Sequence, residues 1–157
     1  MSNTAIQDCE RDISPMCRSD GMALCPYGVL NQGRLRTRKG VEEREVYNPN
    51  RKFIPTSDHD EKVSAILEDI ANAKGAGLLN VAWAYVIQKT PSVFPIVEAR
   101  KVEHIDSNIA GLFVALTEQD VEQVKKACLF DFGFPHTFLS GSMFDSSTPR
   151  MADEQAD

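Results

Sequence analysis

The pattern of apolar positions predicts a chain built mainly from helices. Apolar residues recur at spacings of three and four in residues 8–18, 61–74 and 101–112, which is typical of helices with one buried face. Residues 78–87 are apolar at almost every position, which indicates a helix that is buried nearly all round. The pattern therefore predicts helices packed around a shared core.

The predicted helices carry start and stop signals. Pro15 is an awkward residue inside the first helix, whereas Gly75 closes the second. Thr117 and Asp120 have the spacing of a capping box, and Leu116 can serve as a hydrophobic staple beside it. These residues predict a last helix that starts near residue 117.

Two short apolar runs predict β-strands. Residues 22–25 lie between Gly21 and Pro26, the pattern of a fully buried strand that suits a parallel sheet. Residues 92–97 form the second run, although Pro95 removes one ladder donor. With helices between them, the two runs predict α/β architecture, in which two parallel strands alone would leave unpaired edges.

A long polar connection follows the first predicted strand. Residues 26–60 are rich in Gly, Asn, Pro and charge, and a structureless connection of this length is typical of a functional loop or lid. It contains a basic cluster, for which a solvated face is the favoured interpretation and anion binding the alternative. The cluster consists of Arg34, Arg36, Arg38 and Lys39.

The charge balance narrows the range of partners. The 157 residues include 17 Lys and Arg against 23 Asp and Glu, a net charge of −6, which argues against nucleic acid as a partner. No apolar stretch approaches the ~20 residues needed to span a bilayer, and residues 1–12 are too polar for a signal peptide. We therefore expect a cytoplasmic protein without a membrane partner.

The cysteines do not indicate a metal site. They form no CxxC pair and have no histidine at metal-ligand spacing, so neither zinc nor thioredoxin-like chemistry is predicted. We interpret them as reduced thiols, three of them lying on apolar patterns where a small buried side chain is common. They are Cys9, Cys17, Cys25 and Cys128.

Several blocks of sequence, in the same order, resemble the aldo-keto reductases. They are residues 10–18, 21–34 (GMALCPYGVLNQGR), 93–97 (VFPIV), 100–108 and 130–135 (FDFGFP). Within that family they are most similar to a fungal group that contains aryl-alcohol dehydrogenases and norsolorinic acid reductases.

The resemblance implies a fold. The chain would correspond to the C-terminal fragment of a (β/α)8 TIM barrel, with two parallel strands and flanking helices. Residues 1–139 would form this partial domain, with the aromatic residues of 130–138 laid across an apolar surface. Residues 140–157 are dominated by Ser, Thr, Asp and Glu and are expected to form a disordered tail.

The resemblance also implies NADPH-dependent reduction of an aldehyde or ketone of the aryl or polyketide type. The family takes its catalytic Asp, Tyr, Lys and His from the first half of the barrel, and none has a counterpart here. We therefore predict no catalytic residue, and no activity for the chain alone, because no residue is available to donate the proton as a general acid.

The tyrosines and histidines that are present have other expected positions. Tyr85 is expected in the core, His104 on a helix face, and His59 and His136 in loops. Tyr27 and Tyr47 are likewise not in catalytic positions.

A partial cofactor site is implied by the two loops after the strands. The loop that would contact the NADP(H) pyrophosphate contains Cys25, Pro26, Tyr27, Gly28, Val29 and Leu30. After the second strand, Arg100 would bind the 2′-phosphate, and Ser107 and Asn108 the adenine. Cys25 replaces a frequent Ser, Glu98 replaces the usual Gly, and Ser107 is short for its role, all of which lower the expected affinity.

A second hypothesis from another functional class stays open. The chain could be a non-catalytic pseudoenzyme that binds a nucleotide or a partner and covers its exposed strands by self-association. A companion chain that supplies the other barrel strands is a variant of that hypothesis. In the first hypothesis the partner is a small-molecule carbonyl or alcohol substrate.

Overall fold

The computed structural model describes residues 8–10, 12–47 and 55–127, and six α-helices lie within them. Short 3₁₀ turns occupy Asp8–Glu10 and Asn31–Gly33. The helices are α1 (Ile13–Ser19), α2 (Arg38–Tyr47), α3 (Asp58–Lys74), α4 (Leu78–Gln88), α5 (Val102–Gly111) and α6 (Glu118–Ala127).

The core lies where α3 packs against α4 and α6. Leu67 of α3, Val81 of α4 and Val124 of α6 are fully buried at its centre. Seven of the eleven residues of α4 are buried, which confirms the prediction of a helix buried nearly all round. Burial of such apolar side chains is the main favourable contribution to the stability of the fold.

The helix ends follow their sequence signals. The predicted capping box at the start of α6 is present, since the backbone N–H of Thr117 donates to Oδ2 of Asp120 (2.7 Å) and that of Asp120 to Oγ1 of Thr117 (3.2 Å). Gly75 ends α3 in a left-handed conformation with φ of 64°. Such a φ costs glycine little because it has no Cβ.

Helices α4 and α5 approach each other closely at Gly111. A Cβ on this residue would lie 2.8 Å from Cδ1 of Trp83, nearer than a real Cβ approaches another atom. The apolar stripe that predicted α5 is nevertheless solvent-exposed on the described chain. It consists of Val102, Ile105, Ile109 and Leu112.

The two predicted strands pair in parallel, as expected, but only through isolated bridges. Leu24 pairs with Val93 and Tyr27 with Ile96. The expectation that residues 22–25 form a fully buried strand is wrong, because Leu24 is half-buried and its neighbours are exposed. An apolar run shows that side chains favour burial, but it does not show which surface covers them.

Two further predictions are corrected by the structure. The first predicted helix is divided into the turn Asp8–Glu10 and α1, and Pro15 fits in the first turn of α1, where no intrahelical partner for a backbone N–H exists. The long connection 26–60 is not structureless, since it contains the turn Asn31–Gly33 and α2.

The connection between α5 and α6 is held by one side chain of α4. Nε2 of Gln88 donates to the carbonyl oxygen of Val114 (2.6 Å), and Oε1 of Gln88 accepts from the backbone N–H of Leu116 (3.0 Å).

None of the described helices is long and apolar enough to cross a membrane. The predictions for residues 130–138, for the tail 140–157, and for Cys128 and His136 lie outside the described residues.

Candidate functional site

The two loops with the cofactor motifs begin at the same end of two paired segments, residues 24–27 and 93–96, which we name the bridged segments. The backbone N–H of Ile96 donates to the carbonyl oxygen of Pro26 (2.8 Å), next to the bridge between Tyr27 and Ile96. Because the segments run in parallel, the chain after Tyr27 and the chain after Ile96 begin side by side. The structure thus brings the two sequence-predicted segments to one end of the fold.

The first loop is a tightly wound turn. The backbone N–H of Asn31 donates to the carbonyl oxygen of Gly28 (2.9 Å), and that of Arg34 to the carbonyl oxygen of Asn31 (3.1 Å). Four residues of the loop have positive φ: Gly28 (68°), Asn31 (53°), Gln32 (52°) and Gly33 (76°). The left-handed region disfavours non-glycine residues by about 1–2 kcal/mol each, so the surrounding contacts must stabilise this conformation.

Those contacts come from a partly buried polar group that we name the Asp60 cluster, formed by Asn31, Arg34, Ser57 and Asp60. Nδ2 of Asn31 donates to Oδ1 of Asp60 (2.6 Å), while the backbone N–H and hydroxyl of Ser57 donate to Oδ2 of Asp60 (3.0 and 2.8 Å). Nε of Arg34 donates to the carbonyl oxygen of Asn31 (3.2 Å), and NH2 of Arg34 donates to Oδ1 of Asn31. NH1 of Arg34 lies 3.9 Å from Oδ2 of Asp60.

The electrostatics of the cluster favour a charged carboxylate. Burial alone would raise the pKa of Asp60. Hydrogen bonds from the backbone and side chain of Ser57 and from Asn31, together with the charge of Arg34, instead hold that pKa below its ordinary value of 3.8. Asn31 and Asp60 are both buried, so each polar atom here depends on its partner for compensation.

The basic residues of this region are largely bonded to the protein. Arg34 belongs to the Asp60 cluster, and Nε of Arg36 donates to the carbonyl oxygen of Gly33 (2.6 Å). Nε of Arg38 lies 3.9 Å from Oε2 of Glu68, and Nζ of Lys39 lies 3.7 Å from Oε1 of Glu43. The interpretation as a solvated face therefore holds for the exposed Arg38 and Lys39 but is wrong for Arg34.

The second segment is more open. Glu98 and Arg100 are exposed just before α5, and Ser107 and Asn108 lie in the second turn of that helix. The hydroxyl of Ser107 donates to Oδ1 of Asn80 on α4 (3.2 Å).

In the first segment, Cys25 is an exposed free thiol, contrary to the expectation that it is buried. The side chain of Tyr27 is also exposed, whereas that of Val29 is buried.

The tyrosines and histidines named in the sequence analysis lie in different surroundings. Tyr85 is buried in the core as expected, and its hydroxyl accepts from Nζ of Lys89 (3.0 Å), which also lies 2.7 Å from Oε1 of Glu10. His104 is exposed on α5 as expected, whereas His59 lies in the first turn of α3 and not in a loop. The described residues contain no group of side chains suited to a metal ion.

The Asp60 cluster was missed from the sequence. Ser57 and Asp60 have the spacing of a capping box immediately before the apolar pattern of α3, and that signal was available. The link to Asn31 was not, because 29 residues separate the two side chains and no local pattern connects them.

Comparison with known proteins places this arrangement in a family. The family model described as the aldo/keto reductase family matches residues 3–128. The chain is 54% identical, over all of its 157 residues, to norsolorinic acid reductase B from Dothistroma septosporum and covers 40% of that protein. It is 40% identical over 133 residues to an aryl-alcohol dehydrogenase from Pestalotiopsis microspora, covering 85% of this chain and 34% of that one.

Two solved structures share the fold. The glycerol dehydrogenase from Gluconobacter oxydans superposes with a TM-score of 0.63 at 22% identity, over 80% of this chain and 40% of that one. A thermostable aldo-keto reductase gives a TM-score of 0.57 at 24% identity, over 80% and 37% of the respective chains. The described residues thus have the fold of part of a TIM barrel, consistent with its C-terminal portion, and the resemblance seen in the sequence is confirmed. The chain spans 40% or less of the length of these two curated relatives. Because the family model matches residues 3–128, the chain belongs to the aldo/keto reductase family.

Proposed function

We propose that this chain supplies the NADP(H)-contacting end of an aldo-keto reductase that reduces an aldehyde or ketone. The observation that carries the proposal is the parallel pairing of Tyr27 with Ile96, which brings the starts of both motif-bearing loops together. TIM barrels bind ligands at the carboxyl ends of their strands, often with phosphate held by the loops after the last two. The cofactor, when bound, supplies the hydride that reduces the carbonyl group.

The first loop fits a phosphate contact in part. Gly28 has φ of 68° and no Cβ, so its backbone can approach a ligand closely. Before it in the chain, the thiol of Cys25 and the phenol of Tyr27 are exposed, and the ring of Pro26 is half-buried. The thiol of Cys25 is a weaker hydrogen-bond donor than a hydroxyl, which supports modest affinity for the pyrophosphate.

The second segment offers the stronger contacts. The exposed guanidinium of Arg100 can bind a 2′-phosphate through two parallel hydrogen bonds. Asn108 can both donate to and accept from an adenine edge, whereas the hydroxyl of Ser107 is already bonded to Asn80. The exposed carboxylate of Glu98 opposes phosphate binding by repulsion.

We propose further that reduction requires a proton donor from outside the described residues. Tyr85, the buried phenol beside Lys89, lies in the helical core and not at the edge where the loops begin. The names of the relatives suggest an aryl or polyketide-derived carbonyl compound as the substrate of the complete enzyme.

The cofactor proposal is tested by titrating the purified 157-residue chain with NADPH and with NADH. We expect NADPH to bind at least ~10-fold more tightly, because only NADPH carries the 2′-phosphate for Arg100. Arg100→Ala should remove that preference, while Lys62→Ala, at an exposed cation of α3, should retain it. Equal affinity for the two nucleotides, or no binding of either, would contradict the proposal.

A second candidate function is partner binding through exposed apolar side chains. The bridged segments and α5 expose a group of large apolar side chains of the kind that soluble proteins normally cover. Its members are Tyr27, Phe94, Ile96, Val97, Val102, Ile105, Ile109, Leu112 and Phe113. Because no described residues pair with the outer edges of the bridged segments, we propose that these side chains are covered by the remaining strands of an aldo-keto reductase barrel.

Co-expression tests this second candidate. The chain would be produced together with the part of the Dothistroma septosporum relative that it does not match, and both co-purification and NADPH-dependent carbonyl reduction would be measured. We expect Ile96→Asp to abolish association and Val46→Asp, on the exposed surface of α2, to retain it. Self-association of the chain without the added part would instead favour a second copy as the occupant.

A further inference from the structure

The first loop of the proposed function continues beyond Leu30, and its part from residue 28 to residue 35, named here the 28–35 loop, is bonded to a residue far from it in sequence. Val29 and Leu35 are buried in the core and fix the two ends of the loop. Between them Asn31, Gln32 and Gly33 all have positive φ, a conformation that is costly for the two non-glycine residues. One contact that ties this part of the loop to α3 is the hydrogen bond from Nδ2 of Asn31 to Oδ1 of Asp60.

The two carboxylate oxygens of Asp60 have separate roles. Oδ2 accepts from the backbone N–H and the hydroxyl of Ser57 and so caps α3. Oδ1 accepts from Asn31, and the guanidinium of Arg34 bonds Asn31 and lies near Asp60. Capping α3 therefore uses one oxygen only, and the other is directed to the loop.

A second capping box in the same chain provides an internal comparison. Asp120 receives the backbone N–H and hydroxyl of Thr117 on Oδ2, as Asp60 receives those of Ser57, and α6 follows as α3 does. Its further partner is Lys74, an ion pair between helices. The two aspartates thus share the capping geometry and differ in that Asp60 bonds a residue of the loop.

We propose that Asp60 is a positioning residue that fixes the 28–35 loop through Asn31 and Arg34 in the shape that binds the NADP(H) pyrophosphate. The inference rests on the proposed function of this loop. Asp60 itself is buried, and its link to the loop runs through Asn31 and Arg34. Replacing the carboxylate by an amide leaves a similar shape but removes the charge that Arg34 and Asn31 are arranged around.

The test compares Asp60→Asn with Asp120→Asn, each in the full 157-residue chain. Amide hydrogen exchange in residues 29–35 and the dissociation constant for NADPH are measured well below both melting temperatures. We expect Asp60→Asn to speed exchange in the loop at least ~10-fold and to weaken NADPH binding by a similar factor. Asp120→Asn should change neither quantity, although it too loses a helix cap.

Asn31→Gly separates positioning from capping, because it removes the amide and leaves the contact between Ser57 and Asp60 in place. In the Asn31→Gly background, Asp60→Asn should weaken NADPH binding by a smaller factor than in the wild type, because only the link through Arg34 is left to lose, although it still lowers the melting temperature. If Asp60→Asn does not fold, Asn31→Gly alone should still speed loop exchange and weaken NADPH binding.

The outcomes distinguish the inference from the proposed function. Loop exchange that is the same in the wild type, Asp60→Asn and Asn31→Gly would overturn the positioning role. Equal weakening of NADPH binding by Asp60→Asn and Asp120→Asn would overturn it as well. If the wild type binds no NADPH, the proposed function fails, and the comparison of loop exchange alone still decides whether Asp60 fixes the loop.

Discussion

Gly111 of α5 lies so close to Trp83 of α4 that a Cβ on the glycine would be 2.8 Å from Cδ1 of the indole. The same Cβ would lie 3.3 Å from the Cα of Asn80, which is backbone and cannot move independently. The spacing between α4 and α5 therefore depends on the absence of a side chain at one position.

Gly111→Ala should destabilise the chain by about 1–3 kcal/mol, because overpacking at a helix contact outweighs the helix propensity that alanine adds. The free energy of unfolding in urea measures the change. Gly77→Ala is the matched control, since the nearest atom to its Cβ, 3.1 Å away, is the end of the Asn80 side chain. Equal stability of Gly111→Ala and the wild type would contradict the close approach of the two helices.

Acid should weaken the fold through Asp60 and Asp120. For Asp120, burial would raise the pKa, but hydrogen bonds from Lys74 and Thr117 and the charge of Lys74 hold that pKa below 3.8, as the cluster does for Asp60. In acid the folded state then binds fewer protons than the unfolded state. The stabilisation is complete above the ordinary pKa and is lost as pH falls through the lowered folded values.

Urea unfolding of the wild type and of Asp60→Asn between about pH 6 and pH 2 checks this prediction. The difference in free energy of unfolding between the two proteins should be constant near neutral pH and decrease below about pH 4. A difference that stays constant, or grows, as pH falls would show that Asp60 is not stabilised as a carboxylate.

The ion pair that joins α3 to α6 should contribute modestly. Nζ of Lys74 lies 2.8 Å from Oδ2 of Asp120, and both side chains retain some exposure to solvent. A double-mutant cycle with Lys74→Met and Asp120→Asn should give a coupling energy of about 1 kcal/mol that decreases with added salt. A coupling energy of zero would assign the role of Asp120 to capping α6 alone.

Tyr85→Phe should affect stability but not cofactor affinity. The hydroxyl of Tyr85 accepts from Nζ of Lys89, which keeps its ion pair with Glu10 after the substitution. We expect a loss of about 1 kcal/mol in the free energy of unfolding and an unchanged dissociation constant for NADPH. Weaker NADPH binding in this variant would show that Tyr85 has a role beyond the core.

The parts of the fold that the sequence predicts are those determined locally. The periodicity of α3, the apolar character of α4 and the Thr117–Asp120 capping box each involve residues within a few positions of one another. The parallel pairing of Leu24 with Val93 was also expected, from the helices that separate the two runs. Such features need no knowledge of distant partners.

The misinterpretations have a common physical cause, which is that burial and long-range bonds depend on distant neighbours. Residues 22–25 have the composition of a buried strand, yet Leu24 is only half-buried and the other three are exposed. The site residues were located by family resemblance, and their geometry was not derivable in advance. For example, Ser107 bonds Asn80 across two helices, a contact that spacing along the chain does not encode.

The exposed stripe of α5 has a consequence for how the isolated chain behaves in solution. Hydrophobic attraction weakens on cooling, so clustering of chains through Val102, Ile105, Ile109 and Leu112 is favoured by warmth and reversed by cold. The net charge of −6 repels the chains from one another, and salt screens that repulsion. Turbidity of the isolated chain should therefore rise with temperature and ionic strength together, and storage in cold, dilute buffer should keep it monomeric.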